Sequence, residues 1–181
     1  MTQRCTLLAI AATIVLLLGA SAQAALVGLW RFNGDTNDTS GFNNNGTLQN
    51  GAFLSGDLSP VGGGSLELNG GTQHVLVPHD STLNIVGQGT FAAWVRTIGN
   101  VQWDGVVAKA ASSNGSANNH AGNYELRIEN GTRVPTFLYQ QGGVNDTAAV
   151  NSPTAIGNDV WTHLAVTTNA SGLATFYVNG N

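Results

Sequence analysis

The sequence predicts an all-β protein: a two-sheet antiparallel jelly-roll sandwich. Three observations carry that prediction. Past the N-terminal segment no window keeps a helical period, and short β-rich runs alternate with turns of Gly, Asn, Asp and Ser. Three of those runs alternate apolar and polar residues, the pattern of antiparallel strands with one solvated face. The 24 glycines and the 9% charged residues fit a turn-rich β domain interrupted regularly by apolar strands.

The first 24 residues read differently. Arg4 precedes an apolar run from Leu7 to Leu18, and Ala22-Gln23-Ala24 closes it with an A-x-A pattern. That is the anatomy of a secretory signal peptide, and the run is shorter than the roughly 20 residues a membrane span needs. Residues 1–24 are therefore expected to be cleaved, leaving 25–181 as one secreted or cell-surface domain, not inserted in the membrane. The only cysteine, Cys5, falls in the signal, so the mature chain is expected to lack disulfides and thiolate metal sites.

Strands are expected near 26–32, 65–69, 73–77, 90–96, 105–109, 123–128, 134–140, 160–168 and 173–179. Phe91, Ala93 and Val95 should share one face, with Ala92, Trp94 and Arg96 on the other. Tyr124, Leu126 and Ile128 should point inward, leaving Glu125, Arg127 and Glu129 as a solvated row. Ala174, Phe176 and Val178 should oppose Thr175 and Tyr177. Turns are marked at Asn69-Gly70-Gly71, Asn114-Gly115, Asn130-Gly131, Gly142-Gly143 and Asn179-Gly180. Burying two one-sided sheets requires packing them face to face, and eight or more strands with long crossing loops favour a jelly roll. The small, polar segment 110–123 is long for a hairpin connection.

The net charge is −4, with no basic stripe and no basic amphipathic helix. Nucleic acid and membrane surfaces are thereby excluded as expected partners.

Several motifs follow one another in order: L-W-R-F-N-G at 29–34, D-T-S-G at 38–41, G-G-S-L-E-L-N-G at 63–70, H-V-L-V-P at 74–78, T-F-A-A-W-V-R at 90–96, W-T-H-L-A-V-T at 161–167 and F-Y-V-N-G at 176–180. This succession resembles the laminin-G-like, concanavalin A-like jelly-roll domain of large secreted and cell-surface proteins. The resemblance implies a binding or adhesion role, often toward carbohydrate. It also implies a further strand pair and an Asp-rich closing strand after F-Y-V-N-G, so 25–181 is expected to lack the domain's last strands.

The loop from Leu29 to Leu48 concentrates oxygen donors. Calcium takes six to eight hard oxygens, and Asp38 is the best anchor, with Asp35, Asn33, Ser40 and Asn45 as co-ligands. An EF-hand is excluded, because the twelfth position counted from Asp35 is Gly46. The resemblance implies a structural calcium near this loop. The competing reading is that these side chains make Asx and Ser/Thr turns.

Some concanavalin-like jelly rolls are glucanases carrying Glu-x-Asp-x-x-Glu on one strand. The nearest run here, Glu125-Leu126-Arg127-Ile128-Glu129, has arginine where an acid is needed. Residues four apart on a strand lie about 13 Å from each other, against about 5–5.5 Å for retaining and 6.5–9.5 Å for inverting hydrolysis. The chain is thus expected not to be an enzyme. His74, His79, His120 and His163 lack paired zinc spacing. For a sugar platform the candidates are Trp103 and Asp104 in a turn, and Tyr139 and Gln140 at a strand end. Trp30, Trp94 and Trp161 read as packing residues. N-x-[ST] triplets at Asn37, Asn45, Asn114, Asn130, Asn145 and Asn169 matter only in a host that glycosylates exports. The expected function is non-catalytic recognition of a glycan or other extracellular polymer. The alternatives are part of a secreted polysaccharide-degrading enzyme, or a purely structural surface module.

Overall fold

The computed structural model describes residues 24–85, 87–109, 124–140 and 147–181; the side chains of Gln140, Thr147 and Ala148 are not described. Eleven strands occur among them: β1 (Thr47–Gln49), β2 (Phe53–Ser55), β3 (Ser65–Glu67), β4 (His74–Leu76), β5 (Gly89–Val95), β6 (Asp104–Lys109), β7 (Tyr124–Ile128), β8 (Pro135–Gln140), β9 (Thr147–Asn151), β10 (Thr162–Thr168) and β11 (Ala174–Val178). One 3-10 turn, Ser81–Leu83, is capped by the Asp80 side chain.

Two antiparallel sheets build the sandwich. Strands β6-β7-β8-β9 form a four-stranded meander, and β11-β10-β5 form the opposing sheet. The chain leaves the second sheet after β5, lays down the whole meander, and returns as β10 beside β5, with Val166 opposite Phe91. That crossing connection is what a jelly roll requires. Two short ribbons, β1-β4 and β2-β3, stand apart from these sheets.

The core lies between the sheets. Tyr124, Leu126, Phe137 and Tyr139 of the meander meet Val166 and Phe176, with Phe91 packed against them. Phe91 lies 4.5 Å from the Tyr124 ring and 4.8 Å from Phe137. A second cluster of Val101, Ile128, Ile156 and Leu164 closes one end. Tilted aromatic pairs of this kind add to the burial of apolar area that drives such packing.

The strict alternation read along 90–96, 124–128 and 174–178 matches the burial of β5, β7 and β11. Three short strands, β1, β2 and β9, carry no such signal; β9 (T-A-A-V-N) is small and polar and is defined by its pairing with β8. The strand expected over 26–32 requires correction. It reduces to one bridge between Trp30 and Asp38. Phe32 at φ 55° and Gly34 at φ 89° turn the chain out of extended geometry there. A left-handed Asn-Gly pair also shapes the tight turn at Asn179-Gly180 (φ 53° and 85°), where the Val178 amide donates to the Asn181 carbonyl.

Candidate functional site

The opening loop is closed by Asp38, which is only 7% exposed. One carboxylate oxygen accepts from the amides of Leu29 and Ser40, both at 2.8 Å. The other accepts from the Ser40 hydroxyl at 2.8 Å and the Asn44 amide at 2.9 Å. A carboxylate offers about four lone-pair sites, and here each meets a donor. Burial pushes the Asp38 carboxyl up, but the donors from Ser40, Leu29 and Asn44 outweigh it and hold the group below the usual carboxylate value. Asn44, itself buried, ties the loop to the rest of the molecule. Its side-chain nitrogen donates to the Val27 carbonyl and the Thr82 hydroxyl, and its backbone carbonyl accepts from the Trp30 indole at 2.8 Å.

The other expected calcium ligands are placed around this knot in separate roles. The Asn45 side-chain oxygen accepts from the Asp38 amide, and Asp35 accepts from the Asn37 amide. The Asn33 amide nitrogen donates to the carbonyls of Arg31 and Gly62. As folded, the set does not fit a calcium ion: the ion would have to displace donors from both oxygens of Asp38. Among the described residues no three His, Cys, Asp or Glu side chains gather into a metal-sized group.

The outer face of the meander is organised differently. Val101, 2% exposed, anchors the segment before β6 in the second core cluster. Its carbonyl accepts from the Gly131 amide. Arg133 pins the same segment from below, donating to the Thr97 hydroxyl, the Gly99 carbonyl and the Asn158 side chain. Asp104 then accepts from the Gln102 amide at 3.1 Å, closing a turn around Trp103. Trp103 sits at φ 60°, a strained conformation for a bulky side chain. The ring is thereby set over the Arg127 guanidinium, 4.9 Å from its centroid, while the residue remains 55% exposed.

Arg127 stands in the middle of β7, opposite Gly105 of β6 and Thr136 of β8. Gly105 is not packed against anything on that side: a Cβ there would meet nothing within 4 Å. The register shifts just after Gly105, and such bulges often re-aim side chains at a site. Arg127 donates from Nε to Glu129 at 2.9 Å, and its Nη1 lies 3.7 Å from Glu125. Thr136 donates its hydroxyl to Asn151 at 2.8 Å.

The Glu125, Arg127, Glu129 row is thus not the solvated face that alternation suggests. Their side chains are 18%, 14% and 20% exposed, because the three groups pack on one another and Trp103 lies over the cation. Tyr139 also needs correction as a ligand-facing residue. It shares the inward face with Phe137, is 8% exposed, stacks on that ring at 5.4 Å, and donates its hydroxyl to the Gly172 carbonyl. Gln140 pairs with Thr147 at the end of β8, and its side chain lies outside the described residues, as do His120 and the 110–123 loop. Of the sequence candidates this face presents Trp103; Asp104, paired with the inward-facing Ile128, serves to close the turn before β6. Arg127, Glu125 and Glu129 join Trp103. Alternation placed those three on one face, but only the β6–β7 register sets Trp103 above them.

The remaining histidines and tryptophans are packing partners. His163 lies against Trp94 at 5.2 Å on the outer face of the second sheet, and Trp161 lies under Arg96. His79 meets the Lys109 ammonium at 2.8 Å, and His74 meets the Thr72 carbonyl.

A two-sheet antiparallel sandwich with this crossing connection is a lectin-type jelly roll. The chain belongs to the concanavalin A-like lectin/glucanases superfamily: a laminin-G-type family model of that description matches residues 69–181. No curated protein and no solved structure gives a significant match. The matched span contains both sheets and the Trp103 face, and begins after the Asp38 loop. The superfamily's description names lectins and glucanases together, so membership makes the chain a module of carbohydrate-binding type.

Proposed function

We propose that this chain is an exported, non-catalytic recognition module that binds a glycan across the outer face of its four-stranded sheet. The observation that carries this reading is the exposed Trp103 indole, fixed in a strained turn above Arg127. An exposed aromatic is ordinarily unremarked, but one held at φ 60° by a turn, a buried anchor and a guanidinium is a pre-formed platform. The apolar face of a pyranose ring stacks on the indole, and its hydroxyls donate to the carboxylates of Glu125 and Glu129. Export rests on the signal-like segment 1–24.

The non-catalytic reading rests on Arg127. It stands between the two nearest carboxylates and engages both, leaving no free acid–nucleophile pair across a scissile bond. Affinity gel electrophoresis against a panel of polysaccharides tests the proposal. At least one polymer should retard the protein, and Trp103→Ala should weaken that retardation about tenfold. Trp94→Ala, on the opposite sheet, should leave it within about twofold of the original. Equal loss in both variants would move the site, and retardation by no polymer would favour a purely structural module.

A further inference from the structure

The chain contains seven Asn-Gly pairs, each a place for a self-modification. The glycine nitrogen attacks the asparagine side-chain carbonyl, because glycine has no side chain to obstruct the ring closure. The bond to the side-chain nitrogen breaks and ammonia leaves, giving a succinimide. Water then opens the ring at one carbonyl or the other, to aspartate or to isoaspartate. No oxidant, reductant or enzyme enters the balance. By residue type the seven pairs are equivalent, and the fold separates them. We infer that Asn69-Gly70 is a deamidation site, which converts ahead of every other Asn-Gly pair among the described residues.

Ring closure needs a side chain free to swing toward the following nitrogen, and an N–H free to lose its proton. Five described pairs fail one condition or both. The Asn33 nitrogen donates to the carbonyls of Arg31 and Gly62. Asn45 accepts from the Asp38 amide at 2.9 Å, and the buried Gly46 donates its own amide to the Thr36 carbonyl at 2.9 Å. Asn50 donates to the Thr72 carbonyl at 2.8 Å, and Asn179 accepts from the His163 amide at 2.9 Å. The Asn130 side chain is unbonded, but the Gly131 amide donates to the carbonyl of the buried Val101. Asn114-Gly115 lies outside the described residues.

Asn69 meets both conditions. It and Gly70 are exposed, and neither the Asn69 side chain nor the Gly70 amide has a hydrogen-bond partner among the described residues. A Cβ at Gly70 would meet nothing within 4 Å, so no packed group hinders the ring. Only the Asn69 backbone N–H is held, by the Gln73 side-chain oxygen at 2.6 Å. That bond gives the reaction a consequence. Gln73 also donates to the Gly51 carbonyl at 2.8 Å, and Asn50 reaches back to Thr72, so the β1–β2 turn and the β3–β4 connection are locked together. Isoaspartate lengthens the main chain by a methylene directly beside that lock and adds a carboxylate to it.

The test holds the purified protein at mildly alkaline pH, native and in urea, and follows each Asn-Gly peptide by mass spectrometry for the exchange of amide for acid. Opening one hydrogen bond of ordinary net strength slows a reaction that requires it by about two- to tenfold. In urea the six described pairs should convert at rates within about threefold of one another, since the fold no longer distinguishes them. In the native protein Asn69 should convert within about twofold of its urea rate, and about threefold or more faster than each of the other five. Another described pair converting as fast as Asn69 in the native protein would overturn the inference. So would a native Asn69 slowed by folding as much as the rest.

Discussion

The Trp103 indole lies 4.9 Å over the guanidinium of Arg127, in a residue whose φ of 60° no bulky side chain adopts freely. The contact and the strain oppose each other energetically. Cation–π stacking at a half-exposed site contributes about 0.5–1 kcal/mol, and a non-glycine residue in the left-handed region costs about 1–3 kcal/mol. Trp103→Gly removes both. Its stability in urea should equal or slightly exceed that of the parent, by about 1 kcal/mol at most, while glycan retardation is lost. A variant that unfolds earlier than the parent would mean that the indole holds the turn rather than the turn holding the indole.

Arg127 is the second group on which this face depends. Glu125, Arg127 and Glu129 are mostly covered, so deleting the cation leaves two partly desolvated carboxylates without the guanidinium between them. Breaking a fully buried pair costs about 3–5 kcal/mol; the residual exposure here brings the expected cost of Arg127→Ala to about 1–2 kcal/mol. Adding Glu129→Gln to that variant should recover part of the loss. Chemical denaturation of the cycle measures the coupling, and strictly additive effects would show that the ion pairs contribute nothing.

In the core, Phe137 is fully buried between Phe91 and Tyr139. Phe137→Ala should destabilise the protein by about 3–5 kcal/mol, and Phe137→Leu by less than half of that. Similar costs for the two would indicate that the ring's shape, not its volume, fills the space between the sheets.

The sandwich was legible in the sequence because alternation reports burial directly. Tyr124, Leu126 and Ile128 face the core since every second residue of β7 is apolar, and the same holds for Phe91, Ala93 and Val95. Tyr139 was legible by the same rule, being in phase with Phe137, although its place at a strand end suggests a ligand contact. The first strand was not legible. Trp30 and Phe32 give a strand-like pattern, and nothing in the residue types indicates that Phe32 takes φ 55°. The Trp103–Arg127 stack was not legible either. It depends on which residue of β6 faces Arg127, and that is set by a register shift after Gly105 which no local pattern encodes. Asp38 lies between: its Asx-turn role toward Ser40 is local and readable, whereas its bonds to Leu29 and Asn44 are consequences of the folded loop.

Calcium gives a direct check on the opening loop. With donors on both oxygens of Asp38, saturating calcium and excess chelator should give the same melting temperature within about 1 °C. A calcium-dependent rise of several degrees would require the ion to replace the Ser40 and Asn44 donors, and Ser40→Ala would then raise rather than lower the apparent affinity.

Asp38 also makes the loop's stability dependent on pH, and the sign follows from its hydrogen bonds. Burial raises its pKa, but donors from Ser40, Leu29 and Asn44 favour the charged form more strongly, so the folded value lies below the unfolded one of about 3.9. A carboxyl of that kind contributes its full stabilisation above the unfolded pKa and loses it as pH falls through the folded value. Asp38→Asn keeps the size of the side chain but replaces one acceptor oxygen with a donor, which faces the donors already present. At pH 7 it should cost about 2–3 kcal/mol in urea denaturation. The difference between parent and variant should be constant from pH 7 to about pH 5 and should narrow below about pH 4. A difference that stays flat down to about pH 2 would mean that the carboxylate's charge does not hold the loop, and that Asn44, through Val27 and Thr82, does so alone.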